Sequence, residues 1–264
     1  MDEHLRNPAG RLWLFLSYAH QHAAHGRSML ELWAQYLDVA PEPNAEFFSG
    51  VAELLALPGQ VREAVNGLQN PLVPHELLLS GLTDAEPAMA RSANLTSGSG
   101  EFAGMVPATA LVMLETCSHM LNNSGLSDAE IPLDSLAEMR SLAEELLRTV
   151  EDADGLDSGV RRIIFEYATA ILRAIGLLRV TGVGAVLLEH DRMTGRVVRD
   201  LGLREALVQR PRFFDAIVRL GQVINALVQV RQGTQAIGSD LADILALGQL
   251  PVELAAPAEE TQRA

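Results

Sequence analysis

Residues Val160 to Val180 read VRRIIFEYATAILRAIGLLRV, and their periodicity decides the fold class. At helical spacing Ile164, Ala168, Ile171, Ile175 and Leu178 fall on one side, with Tyr167 and Leu172 widening the apolar face. Arg162, Glu166, Thr169 and Arg173 form the opposite stripe, where Arg162 and Glu166 make an i,i+4 pair worth about 0.2–0.5 kcal/mol when exposed. A helix crossing a bilayer needs about 20 predominantly apolar residues and tolerates central charges poorly. Arg161, Arg162, Glu166 and Arg173 therefore mark a bundle helix that faces a core. Asp157 or Ser158 is placed to cap its start, and Gly182 and Gly184 to loosen its far end.

The same amphipathic pattern recurs along most of the 264 residues. Hydrophobic residues make up 48% of the chain but aromatics only 5%, so the core is built mainly from Leu, Ala, Val and Ile, which suits interlocking helices better than a sandwich of sheets. The fold class expected is all-α: an irregular multi-helix bundle of about ten to twelve helices in two lobes. Residues 1–95 form an N-terminal lobe, 96–104 a Gly/Ser linker around Thr96-Ser97-Gly98-Ser99-Gly100, 105–250 a C-terminal bundle, and 251–264 a disordered tail.

Punctuation supports this division. Asn7-Pro8 reads as a cap followed by proline at the first helical position, launching a helix to about His25 that Gly26 ends. Ser28 restarts a helix, Pro41 and Pro43 stop it, Asn44 caps the next, and Pro58-Gly59 is expected to interrupt that one. Ser135 with Glu138 fits a capping box. From Pro211, residues Phe213, Ile217, Leu220, Ile224 and Leu227 form an a/d seam of about two heptads, short enough to favour a bundle helix over a dimer zipper. A short helix is expected near Leu241 to Leu247.

The formal net charge of −14 argues against a generic nucleic-acid partner and against an anionic membrane surface, both of which are held by clustered positive charge. The charge is nevertheless segregated. Asp128 to Asp157 holds ten acids and two arginines, whereas Arg192 to Arg219 holds seven arginines and three acids. Either the two segments balance each other within the fold, or the second forms a basic docking face. Every basic residue is Arg, so there is no Schiff-base lysine, P-loop lysine or Ser-Lys dyad. One cysteine, Cys117, makes neither an internal disulfide nor a thiolate zinc cluster. The opening MDEHLRNPAG is unlike a signal peptide, and the protein is read as cytoplasmic.

Few constellations carry chemistry. His20, His22 and His25 form an H-x-H-x-x-H cluster, but on a helix His20 and His22 point about 160° apart, so one helix cannot converge all three. Glu115 and His119, four apart, could contribute to a carboxylate and imidazole site; no second paired element accompanies them. Cys117 points away from His119 on that helix and reads as a buried structural thiol. Glu151 to Asp157 superficially looks like a calcium loop, yet aligning Gly155 to the loop glycine puts Val150 and Arg161 at the first and twelfth ligand positions, so it reads as an acidic turn. No catalytic residue, metal ligand or cofactor is assigned. Arg192, Arg196 and Arg199 share a face if their segment is helical, although Thr194-Gly195 weakens that assumption, and they are the partner-binding residues expected.

Three places together resemble a recurring type of bacterial all-helical protein of unknown function: Asn7-Pro8-Ala9-Gly10-Arg11-Leu12 with Leu32-Trp33 downstream, the acidic helix ending near Asp154, and Arg173-Ala174-Ile175 leading to Arg179-Val180-Thr181-Gly182. Where a tyrosine commonly precedes the Arg-x-x-Gly element, this chain has Leu177 or Leu178. The resemblance implies architecture and no catalytic residues. The function expected is that of a non-enzymatic helical interaction or scaffold protein with a protein partner or a second copy. The alternatives are a regulator or effector in bacterial stress or mobile-element defence that uses the Arg-rich face, and a helical enzyme or small-ligand binder without a recognisable motif.

Overall fold

The computed structural model describes residues 3–69, 71–125, 127–128 and 132–232. A 3-10 turn at Glu3–Arg6 precedes α1 (Pro8–His22), α2 (Met29–Leu37), α3 (Ala45–Asn66), α4 (His75–Leu78), α5 (Leu82–Ser92), α6 (Ser99–Met105) and α7 (Ala108–Asn123). Then follow α8 (Leu133–Glu151), α9 (Ser158–Gly176), α10 (Leu178–Thr181), α11 (Gly184–Arg199), α12 (Leu201–Val208) and α13 (Pro211–Gln232). The fold is all-α, with thirteen α-helices and no strand among the described residues; eleven of the helices have seven residues or more. No helix among these residues is long and apolar enough to cross a membrane. The helix expected at Leu241 to Leu247 and the tail at 251–264 lie outside the described residues.

The opening stretch behaves as its periodicity requires. Ile164, Tyr167, Ala168, Ile171, Ile175 and Leu178 are buried, while Arg162, Glu166, Thr169 and Arg173 are exposed. Asp157 caps α9 by accepting hydrogen bonds from the Gly159 and Val160 amides at 2.8 and 3.2 Å. The helix breaks once, at Leu177, before the single turn of α10 reaches Gly182.

Two apolar clusters form the interior. The first spans α1 to α7, with Phe15 stacked on Trp33 at 4.5 Å between ring centroids and Phe47, Leu54 and Leu114 fully buried. The second spans α8 to α13 and includes Phe213, Ile217, Leu220 and Ile224, so these four seam positions of α13 face their own bundle; the Leu227 side chain lies outside the described set. The clusters divide after Leu121, not at the Gly/Ser stretch. That stretch, expected to be a linker, is helical from Ser99, because it is tied down on both sides. The Met29 amide donates to the Ser97 carbonyl at 2.9 Å and the Ser99 amide to the Arg27 carbonyl at 2.8 Å, while Phe102 is buried in the first cluster.

Three further boundaries differ from the sequence expectation. α1 ends at His22, before Gly26. α3 runs through Pro58, since buried Val51, Leu54, Leu57, Val61 and Val65 lie on both sides of it and packing outweighs the missing amide hydrogen bond. α8 starts at Leu133 behind Pro132, two residues ahead of Ser135, so the expected capping box is not its start.

The α9–α10 junction joins the two halves. Leu177 and Val180 pack in the first cluster, Ile175 and Leu178 in the second. Arg179 donates to the Tyr36 carbonyl at 3.0 Å with its guanidinium 5.6 Å from the Tyr36 ring centroid.

Candidate functional site

α11 is continuous through Thr194 and Gly195, so Arg192, Arg196 and Arg199 do share one stripe. The buried residues Val186, His190, Met193 and Val197 occupy the other side of the helix and fix the arginines outward. Together with α9 they border a groove of ≈ 400 Å³ lined in part by Ile163, Tyr167 and Met193. Arg192 pairs with Glu189, and Arg196 Nη1 lies 3.4 Å from Glu166 Oε2. Among the described residues Arg199 has no ion-pair partner. Leu188, one turn before Arg192, is half-exposed and adds an apolar contact to the same stripe.

Part of the charge segregation is internal. Helix α13, whose first half closes the arginine-rich segment, packs along acidic α8. The acidic turn between α8 and α9 is held by two arginines acting on its carbonyls: Arg161 donates to those of Val150 and Ala153, and Arg210 to those of Asp154 and Gly155. Carbonyl oxygens that a calcium loop would turn to a cation are occupied by guanidinium donors here, in keeping with the reading of this segment as a turn.

The histidine candidates separate. His20 Nε2 lies 2.8 Å from the Val106 carbonyl oxygen, His22 stacks on Tyr18 at 4.0 Å, and His25 is exposed. The three do not converge. On α7, Cys117 is fully buried, and burial pushes its thiol up to about 12, far from a thiolate at neutral pH. His119 meets Glu3 and His4 of the 3-10 turn and not Glu115, its expected companion.

Sequence reasoning did not anticipate the buried polar centre beside this cluster. Asn7 caps α1, with Oδ1 accepting from the Gly10 amide at 2.9 Å, while its Nδ2 donates to Ser118 Oγ at 3.1 Å and Asn122 Oδ1 at 2.8 Å. Arg11, 5% exposed, donates from Nη1 to Asp128 Oδ2 at 3.0 Å and to the Leu5 carbonyl at 3.2 Å. Burial lowers the Arg11 pKa from its ordinary value, and Asp128 opposes that shift. Gly182 closes the centre from the C-terminal half: a Cβ there would come within 2.3 Å of Arg11 Nη1. The signal for this centre was the pair of elements Asn-Pro-Ala-Gly-Arg and Arg-Val-Thr-Gly, which the fold brings together.

No protein-family model, curated protein or solved structure matches the chain.

Proposed function

We propose that the protein is a non-enzymatic, cytoplasmic interaction protein that binds an acidic segment of a protein partner through the α11 face carrying Arg192, Arg196 and Arg199. The observation that supports this reading is the outward stripe itself: three guanidiniums along one helical face, beside a half-exposed Leu188 and a groove where Ile163, Tyr167 and Met193 alternate with Glu166 and Glu189. Arginine with apolar neighbours is the composition that interfaces favour, and a planar guanidinium takes a carboxylate in two parallel hydrogen bonds. The in-chain pairs to Glu189 and Glu166 do not block the face. Their arginine side chains are 62% and 47% exposed, and exposed pairs contribute only about 0–1 kcal/mol, so a partner carboxylate displaces them at little cost.

The test is a quantitative pull-down from native cell extract with the wild-type chain and with Arg192→Ala/Arg196→Ala/Arg199→Ala. An acidic protein retained by the wild type and lost by the triple variant is expected, with retention falling as salt rises through the Debye-screening range. Identical retained proteins for both chains would overturn the assignment.

A further inference from the structure

Glu3, His4 and His119 bring one carboxylate and two imidazoles together, away from the α11 face. One ligand atom of each residue lies within 4.8 Å of those of the other two, and Glu3 Oε1 is 3.6 Å from His119 Nδ1. The segments that bring them together are far apart in sequence: Glu3 and His4 sit in the 3-10 turn, His119 near the end of α7. Two imidazoles and one carboxylate form a borderline-soft N/O set suited to Zn²⁺ and its neighbours, not to Ca²⁺ or Mg²⁺. A surface ion pair between Glu3 and His119 would need no second imidazole, yet the His4 and His119 rings stand 5.2 Å apart between centroids.

The His4 ring is already oriented. It is 7% exposed, its Nδ1 is 3.1 Å from the buried Ser118 Oγ, and its centroid is 4.4 Å from the Trp13 ring. Ser118 is in turn held by Asn7 Nδ2. Metal-ligating histidines are fixed by such outer hydrogen bonds. The backbone is fixed as well, since a Cβ on Gly10 would lie 2.1 Å from the His4 carbonyl oxygen, so the turn sits directly on α1. Ligand atoms around a tetrahedral Zn²⁺ with bonds of about 2.0–2.2 Å stand roughly 3.3 Å apart, so atoms now within 4.8 Å of one another must close by up to about 1.5 Å. The movable members can do this: the Glu3 and His119 side chains are 59% and 47% exposed.

We propose that Glu3, His4 and His119 form a Zn²⁺ site that pins the N-terminal turn to α7, with water completing the coordination. The site is separate from the α11 face and stands whether or not that face binds a partner.

The experiment titrates Zn²⁺ calorimetrically into the full chain, carrying no histidine tag and stripped with chelator, and repeats the titration with Co²⁺ while recording the visible spectrum. One ion per chain is expected, with the intense d–d bands of a four-coordinate Co²⁺. His119→Ala and Glu3→Gln are each expected to weaken binding at least about tenfold, whereas His20→Ala/His22→Ala/His25→Ala leaves it unchanged. Both single substitutions are at exposed side chains, and circular dichroism of each variant confirms that it is folded; if His119→Ala unfolds, Glu3→Gln alone decides. Absence of stoichiometric binding, or wild-type affinity in the folded variants, overturns the site.

Discussion

Gly182 has φ 67° and ψ −173°, a conformation that residues with a side chain rarely adopt, and a Cβ there would stand 2.3 Å from Arg11 Nη1 and 2.5 Å from Asp128 Oδ2. Alanine at this position strains the backbone and parts a largely buried ion pair, so Gly182→Ala is expected to lower unfolding free energy by about 2–4 kcal/mol in urea titration. Gly176→Ala, where nothing lies within 4 Å, is the control and should cost nothing. A second residue-scale consequence lies in the other cluster. His190 is buried with Nδ1 2.9 Å from the Tyr167 hydroxyl, and burial pushes its pKa below the ordinary 6.5, with Asp191 opposing. The native state therefore favours neutral His190, and the unfolded chain takes up its proton first as pH falls. Stability from this group is complete above about pH 6.5 and declines below it toward the depressed native value. His190→Gln should flatten the fall in melting temperature between about pH 7.5 and about pH 5; an unchanged acid slope would refute the assignment. The sequence around Gly182 held one half of a signal, Arg-Val-Thr-Gly, but not the partner it meets, and the neighbours of His190 held none. Arg11 and Asp128 reach Gly182, and Tyr167 reaches His190, only through the tertiary fold.

At the scale of elements, the local signals that survived are those with a mechanism confined to one helix end or one helix face. Asn44 accepts from the Phe47 amide at 2.9 Å, as a cap before a helix should. Asn44→Ala is expected to remove about 1 kcal/mol, and Asn44→Ser to restore most of it, by thermal or urea denaturation. The inward and outward faces of α9 were legible for the same reason, because periodicity is a property of the helix alone. Pro58 was not, since whether a proline ends a helix depends on what packs beside it, and here apolar contacts on both sides carry α3 through. The capping box at Ser135 failed to mark the start of α8 because Pro132, three positions earlier, is already the extended residue that precedes the helix, with φ −58° and ψ 140°. Thr194-Gly195 did not break α11, whose Val186, His190, Met193 and Val197 hold it against the second cluster.

At the scale of the molecule, the two apolar clusters meet through α9–α10 and the polar centre of Arg11, Asp128 and Gly182. Composition anticipated helices on helices; it could not place the division, because the Gly/Ser stretch at 96–104 looks mobile in sequence yet is tied to Arg27 and Met29 in space. Charge segregation was legible, but its purpose splits. Arg161 and Arg210 are taken up by the carbonyls of the acidic turn, while Arg192, Arg196 and Arg199 project outward. The outward group carries the functional account, and its most direct test is calorimetric titration of the partner retained in native extract against wild-type chain and the Arg192→Ala/Arg196→Ala/Arg199→Ala variant at low and moderate salt. Affinity at least about tenfold weaker in the variant, with a shallower salt dependence, is the predicted result; equal affinity and equal salt dependence in the two chains would contradict it.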